Sequence, residues 1–404
     1  ETSSKYNRVG VGGLVGAASN TGNNNTVNMN ITDCKVIGNP NGNNIIRAGY
    51  AAGGIVSELK MGSNMNAYYQ NCTISDMDIS ATVHAGGISG AEISSAISRF
   101  NNVNVENCSI SNLDVYRANN ALTSGGFTGC EWGIAFIHES NVTDCTIGGP
   151  FTYYVGGYFG YTPTTFGACK FGNATSVGNT IMGAMAGGIA GRVSRNQSNQ
   201  GALYEIIVKG NKIIGFFNND NERTWVGGAF AYVDTTNNHV YGNDIVIEDN
   251  LIAGMHLTKN TTSNQRIGGV FGEIKEAIFI NDITLNDNII GILDYSRLPN
   301  DTTNDKYITF GEYLINDVYD LWDTSHNLDA AKVAAEEDYI GLYFNDTSDY
   351  VPYPDVITEA ELYKYSAYVG LIFGYRSSAV ANITDFYVNY SDEYKKFRPA
   401  CDVA

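Results

Sequence analysis

Between residues 8 and 294, hydrophobic and polar positions alternate at a spacing of two, and jumps of three interrupt the alternation at intervals. The stretch around Cys108 shows this pattern, because Val105 lies three positions before the cysteine and Ile110 two positions after it. A spacing of two is the period of a β-strand, and a jump of three marks a corner where the strand turns. The pattern therefore predicts short strands joined by corners, with no helical periodicity.

A Gly-Gly doublet recurs in step with this alternation, and one marker residue follows each doublet roughly 20 positions later. Neighbouring markers are between 32 residues (Asn179 to Asn211) and 39 residues (Asn211 to Asn250) apart. A nearly fixed period in this range is the signature of a repeat architecture. The doublets are Gly12-Gly13, Gly53-Gly54, Gly86-Gly87, Gly125-Gly126, Gly156-Gly157, Gly187-Gly188, Gly227-Gly228 and Gly268-Gly269.

A strand, a corner, a second strand and a Gly-rich return describe one coil of a parallel β-solenoid, which buries its inner face against its neighbours. Parallel crossovers wind right-handed. We therefore predict an all-β, right-handed parallel β-helix of about eight to nine coils. Equivalent residues then stack at about 4.8 Å, and the markers should form an internal ladder. The predicted ladder residues are Cys34, Cys72, Cys108, Cys145, Asn179, Asn211, Asn250 and Asn288.

The Gly-Gly-apolar-x-Gly units, each followed by a strand containing Asn or Cys, resemble the GLUG-type repeats of bacterial and protozoan surface proteins. Gly-Gly-Leu-Val-Gly at 12, Gly-Gly-Ile-Ala-Gly at 187 and Gly-Gly-Val-Phe-Gly at 268 carry the resemblance, which extends over residues 8 to 294. The copies at 53 (Gly-Gly-Ile-Val-Ser) and 227 (Gly-Gly-Ala-Phe-Ala) depart from it. The resemblance implies a solenoid at a cell surface and no particular activity.

The repeat pattern breaks between residues 295 and 366, in a stretch rich in tyrosine and acidic residues with two short helical runs. We predict three parts: solenoid repeats in 1–294, a small mixed insert in 295–366, and a final coil with a C-terminal tail in 367–404. Tyrosine offers contact area with a polar tip, so the insert is either a contact surface or a cap over the last coil. Its candidate contact residues are Tyr313, Tyr319, Trp322 and Tyr343.

Composition excludes some classes of function. A net charge of −18 and a pI near 4.6 argue against nucleic acid, whose phosphates require a basic face. No run of 18 apolar residues is present, so we expect no membrane span. Because the chain begins at Glu1 rather than Met, we expect a mature product or a fragment, and a secretory signal upstream stays open.

Asn-x-Ser/Thr sequons are abundant, at roughly twice the number that multiplying the residue frequencies predicts. Asn71 and Asn107 directly precede predicted ladder cysteines, so alternation points them outward. We predict covalent N-glycans on a secreted protein; the alternative is an Asn-rich bacterial surface protein without glycans. The sequon residues are Asn24, Asn30, Asn71, Asn107, Asn141, Asn173, Asn196, Asn260, Asn300, Asn345, Asn382 and Asn389.

The seven cysteines are an odd number, so at least one is unpaired or bonded between chains. We expect buried thiols in the ladder, because adjacent strands hold Cβ atoms farther apart than a disulfide prefers. Cys130 and Cys169 lie off the ladder and are the candidates for a disulfide. Cys401 is left over.

β-Helices often carry polysaccharide lyases and hydrolases, which need paired carboxylates or acids that bind Ca²⁺ beside a base. No two aspartates are adjacent, and the five histidines are scattered over different coils. Acids at 248–249 and 282–287 fit solvated turns better than a Ca²⁺ loop. We therefore predict no catalytic residue, no metal site and no cofactor, and expect that the protein is not an enzyme.

Three functions stay open after these exclusions. The first is an extracellular structural glycoprotein, secreted to the cell surface, whose copies stack end to end into a filament or appendage. The second is an adhesin-like module that binds surface carbohydrate or a host protein through aromatic patches. The third is a carbohydrate-active enzyme, which requires several acids and a Lys or Arg to converge in one groove.

Overall fold

The computed structural model describes residues 9–19, 27–39, 42–60, 65–92, 97–113, 122–149, 152–162, 170–195, 201–215, 224–235, 239–256, 265–275, 277–294, 367–376 and 381–391. In these residues every regular element is a β-strand, and the strands belong to four sheets, here called A, B, C and D. The strand pairings described between coils are all parallel. This confirms the predicted parallel β-solenoid, while its hand stays a prediction.

Sheets A and B each contain nine strands. The strands of sheet A are, in stacking order, Gly10–Gly12, Ala51–Gly53, His84–Gly86, Thr123–Gly125, Tyr154–Gly156, Met185–Gly187, Thr224–Gly227, Gln265–Gly268 and Ala367–Gly370. Those of sheet B are Val15–Ser19, Val56–Lys60, Ser89–Glu92, Thr128–Glu131, Phe159–Thr162, Ala190–Arg195, Phe230–Thr235, Phe271–Ile274 and Phe373–Arg376.

Sheet C has ten strands and sheet D has eight. The strands of sheet C are Val27–Thr32, Lys35–Ile37, Met65–Ser75, Ile97–Glu106, Ile134–Thr143, Lys170–Val177, Gly201–Lys209, His239–Glu248, Ala277–Asn286 and Ala381–Asn389. Those of sheet D are Ile45–Ala48, Asp78–Ala81, Ser109–Asn112, Thr146–Gly148, Thr180–Gly183, Lys212–Gly215, Leu251–His256 and Ile289–Asp294.

The described residues contain nine coils, numbered here from the N-terminus. In coils 2 to 8 one strand from each sheet in turn makes the coil, whereas coil 1 has two strands in sheet C and coil 9 has no described strand in sheet D. Coil 8 ends with Ile289–Asp294 and coil 9 begins with Ala367–Gly370, which pairs directly with Gln265–Gly268 of coil 8. The segment 295–366 therefore enters the chain between two consecutive coils. The predicted insert and its helices lie outside the described residues.

The Gly-Gly doublets form the bend between sheets A and B, where backbone stacks directly on backbone. Gly53, Gly86 and Gly125 lie in register in consecutive coils. A Cβ placed on Gly87 would lie 2.1 Å from the carbonyl oxygen of Gly126 in the next coil. Only glycine permits so close an approach, so each doublet fixes the register of its coil.

Each regular coil turns two corners with a residue in the left-handed region, which asparagine and aspartate adopt more readily than most residues. The first corner lies within sheet C and contains, from coil 1 to coil 9, Asp33, Asn71, Asn102, Glu139, Asn173, Glu205, Asp244, Asp282 and Asp385. The second lies between sheets C and D and contains, from coil 2 to coil 8, Asp76, Asn107, Asp144, Gly178, Gly210, Asp249 and Asp287.

The four sheets enclose one continuous hydrophobic core of stacked side chains. In the last three coils, Phe230, Phe271 and Phe373 stack with ring centroids 5.8 and 5.7 Å apart. Each ring covers its neighbour, so apolar burial by one coil depends on the next coil. Alternation leaves the intervening side chains on the outer faces, where any functional surface has to lie.

Candidate functional surfaces

The second corner carries the predicted ladder from Cys108 onward. Asn179 accepts a hydrogen bond at Oδ1 from the backbone N–H of Cys145 (2.8 Å), and its Nδ2 donates to the carbonyl of Val142 (2.9 Å). Asn211, Asn250 and Asn288 repeat this arrangement one coil apart. These buried amides therefore satisfy backbone groups of the preceding coil where the chain turns.

Cys108 and Cys145 occupy the same column with a weaker version of the same contacts. The backbone N–H of Cys108 lies 3.4 Å from the Sγ of Cys145, and that thiol lies 3.6 Å from the carbonyl of Val105. Burial, together with the neighbouring Cys108, raises the pKa of the Cys145 thiol well above its ordinary value. The Cys145 thiol therefore stays protonated, and its role at this corner is structural.

The prediction that Cys34 and Cys72 belong to this ladder is wrong. Cys72 pairs in register with Val103, which lies five residues before Cys108, and Met77 occupies the ladder position of coil 2. In most coils, both corners place a buried residue directly after a residue in the left-handed region. Cys34 and Cys72 lie at the first corner, which sequence spacing could not distinguish from the second.

Seven predicted glycosylation sites fall among the described residues, and all seven lie on sheet C or directly after one of its strands. Asn141 is half-buried and the other six are exposed. The seven are Asn30, Asn71, Asn107, Asn141, Asn173, Asn382 and Asn389. The remaining five, Asn24, Asn196, Asn260, Asn300 and Asn345, lie outside the described residues.

Several sequon amides also bridge coils. The Nδ2 of Asn71 donates to Asp33 at 2.9 Å, and that of Asn107 donates to Asp76 at 2.7 Å. An amide nitrogen has two protons, so attachment of a sugar leaves one for this bond. Glycosylation is therefore compatible with these contacts. Asn389 pairs in register with Asn286, two positions before Asn288 of the ladder.

The predicted bridge between Cys130 and Cys169 does not form, because Cys130 carries a free, buried thiol. Its Sγ lies 3.0 Å from the indole nitrogen of Trp132. Burial raises the pKa of this thiol well above its ordinary value, so it is a poor nucleophile. Cys169 itself lies outside the described residues, as do Cys401 and the predicted contact residues Tyr313, Tyr319, Trp322 and Tyr343.

A second surface, the aromatic–cation stripe, lies between the outer sides of sheets A and B in coils 5 to 9. It comprises Tyr154, Tyr161, Arg192, Trp225, Tyr232, Arg266 and Tyr375. The guanidinium of Arg192 lies 5.4, 5.3 and 5.3 Å from the ring centres of Tyr154, Tyr161 and Tyr232. That of Arg266 lies 4.0 Å from the ring centre of Tyr375. Cations and rings thus alternate along the axis.

The acids beside the stripe already contact cations. Arg266 forms an ion pair with Glu273, and the Lys275 Nζ lies 3.5 Å from Asp234. The hydroxyl of Tyr232 also donates to Asp234, at 2.7 Å. This arrangement ties the outer sides of sheets A and B together.

A buried acid pair is the most polar feature of the interior. Glu92 and Glu131 stack in adjacent coils and are 1% and 0% exposed. Glu92 accepts hydrogen bonds from Tyr69 (2.8 Å) and from the hydroxyl of Ser98. Burial raises the pKa of both carboxyl groups, and the charge of Glu92 raises that of Glu131 further. The pair therefore keeps a proton that an exposed glutamate would lose.

The sequence analysis missed both the stripe and the acid pair. The stripe occupies two fixed columns, two residues before each Gly-Gly doublet and four residues after it. An alignment of the doublets contained both signals, because Glu92 and Glu131 each lie five residues after the second glycine of their doublets.

Among the described residues, no group of three or more His, Cys, Asp or Glu side chains is arranged to hold a metal ion. Within the same residues, no helix is long and apolar enough to cross a membrane. No protein family model matches the chain, and neither a curated protein nor a solved structure is significantly similar to it. The resemblance to GLUG-type repeats stays a prediction.

Proposed function

We propose that the protein is an extracellular structural glycoprotein, a rigid β-solenoid rod at a cell surface. The observation that carries the proposal is the gathering of every described sequon on the face or corners of sheet C. Asn71, Asn107 and Asn173 lie in three different coils, have exposed side chains and adopt the left-handed conformation. A sequon on an exposed corner offers the amide nitrogen without disturbing the buried ladder.

The distribution of charge and polarity fits such a role. Few side chains are charged (16%), and asparagine, serine and threonine supply much of the outer polarity. Glycans on sheet C would cover one long side of the rod. They would leave uncovered Tyr161 and Arg192, the partly exposed members of a stripe in which Tyr154, Trp225, Tyr232 and Arg266 are buried. Nine coils at about 4.8 Å give a rod body of roughly 43 Å.

Glycopeptide mapping of the protein purified from its native source tests the proposal. Release of N-glycans by an amidase in heavy-oxygen water converts each occupied asparagine to a labelled aspartate. We expect labelling at Asn71, Asn107 and Asn173. Asn102 occupies the same corner without a sequon and is the internal control. Unlabelled peptides at all sequon positions would refute the proposal.

End-to-end stacking into a filament is the self-assembly that the sequence suggested. In its favour, large hydrophobic side chains of coil 1 are exposed within the part of the chain that the structure describes, and a partner coil would cover them. These residues are Val9, Leu14, Val27, Ile37 and Ile45. Coil 9 opposes it, because Leu371 stands there in place of the second glycine of the doublet. We therefore propose a discrete rod in preference to a continuous filament.

An adhesin-like role is the second candidate, and the aromatic–cation stripe favours it. Tyr161 and Arg192 are partly exposed there, and aromatic rings beside a polar cation suit sugar rings or a protein loop. A glycan array probed with the wild-type protein and with Tyr161→Ala tests this role. Tyr204→Ala, which changes a 47% exposed tyrosine on sheet C, is the control. Binding that is absent, or equal in both variants, would remove the candidate.

A further inference from the structure

At the second position of every doublet from coil 1 to coil 8, the coil that follows leaves room only for glycine. A Cβ at that position would point along the axis at a carbonyl oxygen of the next coil, at a distance that no real Cβ contact shows. The distances are 2.1 Å at Gly13, 2.2 Å at Gly54, 2.1 Å at Gly87, 2.0 Å at Gly126, 2.0 Å at Gly157, 2.1 Å at Gly188, 2.0 Å at Gly228 and 2.1 Å at Gly269.

Coil 9 has Leu371 at this position, and its backbone follows the same path. The N–H of Gly269 donates to the carbonyl of Gly370 (3.1 Å), as the N–H of Gly228 donates to that of Gly268 (3.1 Å). The register of sheet A also continues unchanged into coil 9. Leu371 is thus the equivalent of the second glycine, with a side chain that packs partly against the core.

We propose that Leu371 closes the C-terminal end of the solenoid, so that a second copy of this chain cannot continue the stack there. A coil added in register would place its carbonyl oxygen about 2 Å from the Leu371 Cβ, as judged from the eight equivalent positions. The Cβ alone is enough to block it. The leucine side chain is partly buried and packs against the hydrophobic core.

This inference does not depend on the glycan proposal, because it concerns only the backbone geometry of the stack. It predicts that in-register stacking is blocked at coil 9. In an end-to-end contact of two copies, the carbonyl of Gly13 in coil 1 of one copy would meet the Leu371 Cβ in coil 9 of the other. In-register association of two copies end to end is therefore blocked at coil 9.

Two substitutions that differ by one carbon atom test the proposal. Leu371→Ala and Leu371→Gly both remove the leucine packing, but only the glycine variant removes the Cβ. We expect the wild type and Leu371→Ala to remain single rods in analytical ultracentrifugation. Leu371→Gly should form end-to-end dimers and longer rods in multiples of about 43 Å by electron microscopy.

The opposite outcomes are equally definite. Wild-type filaments with an uninterrupted stacking of about 4.8 Å through each junction would overturn the proposal. A Leu371→Gly variant that keeps the circular dichroism of the wild type yet stays a single rod would overturn it as well. Glycopeptide mapping is unaffected by either result, so failure of this inference is distinguishable from failure of the proposed function.

Discussion

The buried asparagine ladder makes a quantitative prediction at Asn250, which contacts both neighbouring coils. Its Oδ1 accepts from the backbone N–H of Asn211 (2.8 Å), and its Nδ2 donates to the carbonyl of Val208 (2.9 Å). Asn250→Ala leaves this N–H and this carbonyl buried without these partners. At roughly 1 to 3 kcal/mol for each group, the expected loss in the free energy of unfolding is about 2 to 6 kcal/mol.

Two further variants show whether hydrogen bonding is the cause. Asn250→Cys introduces the thiol that Cys108 and Cys145 carry at the equivalent ladder position. The loss in the free energy of unfolding should therefore be smaller for Asn250→Cys than for Asn250→Ala. Asn101→Ala changes an exposed asparagine and should alter the free energy of unfolding by less than about 0.5 kcal/mol.

Urea unfolding followed by circular dichroism measures these differences. Because each coil contacts only its neighbours, amide hydrogen exchange should also speed up first in coils 6, 7 and 8. The reasoning is refuted if Asn250→Ala is as stable as Asn101→Ala. It is also refuted if Asn250→Cys loses more stability than Asn250→Ala.

Two other predictions follow from buried groups. Burial and Glu92 raise the pKa of Glu131 above its ordinary 4.5, so the pair's contribution to stability is complete below about pH 4.5 and is lost as pH rises through the raised pKa. Glu131→Gln should reduce this loss, as measured by urea unfolding between pH 4 and pH 8. Gly228→Ala puts a Cβ 2.0 Å from the carbonyl of Gly269 and should cost several kcal/mol, as judged from backbone strain and overpacking. Gly172→Ala, where a Cβ would have its nearest neighbours 3.9 Å away, should be nearly neutral; thermal melts of both alanine variants measure the difference.

The sequence predicted the solenoid well because its most regular signal is also its strictest physical requirement. A doublet such as Gly86-Gly87 is needed where backbone meets backbone, and no other residue fits. The assignment of Cys34 and Cys72 failed because the two corners use the same local chemistry. Both corners place a left-handed residue before a buried one, and only the pairing register separates Cys72 from Cys108.

The candidate surfaces were harder to predict from the sequence. Side chains that stack on the outer faces are under weaker packing constraints than side chains that stack in the core. A sequon such as Asn173 is visible as a motif, but its place on sheet C emerges only from the fold. The stripe requires side chains from two sheets, such as Trp225 and Tyr232, whose rings are 4.3 Å apart across the bend. Pairs of that kind join positions seven apart in the chain on the two sides of the Gly-Gly bend, and strand alternation does not relate them.

Residues that stack inside the solenoid and residues that stack on its outer faces therefore have separate roles in this chain. Glycines, ladder amides and stacked rings hold coil against coil, and these tolerate little change. The outer columns are free to differ, and the chain places sequons on one side and cations with aromatic rings on another. The ends are the exception, since an end coil lacks a neighbour to constrain it on one side. Leu371 is an example, because only in a last coil can another residue stand in place of the second glycine without a clash. The first coil in which another residue replaces the second glycine of the doublet is thus the coil at which the stack ends.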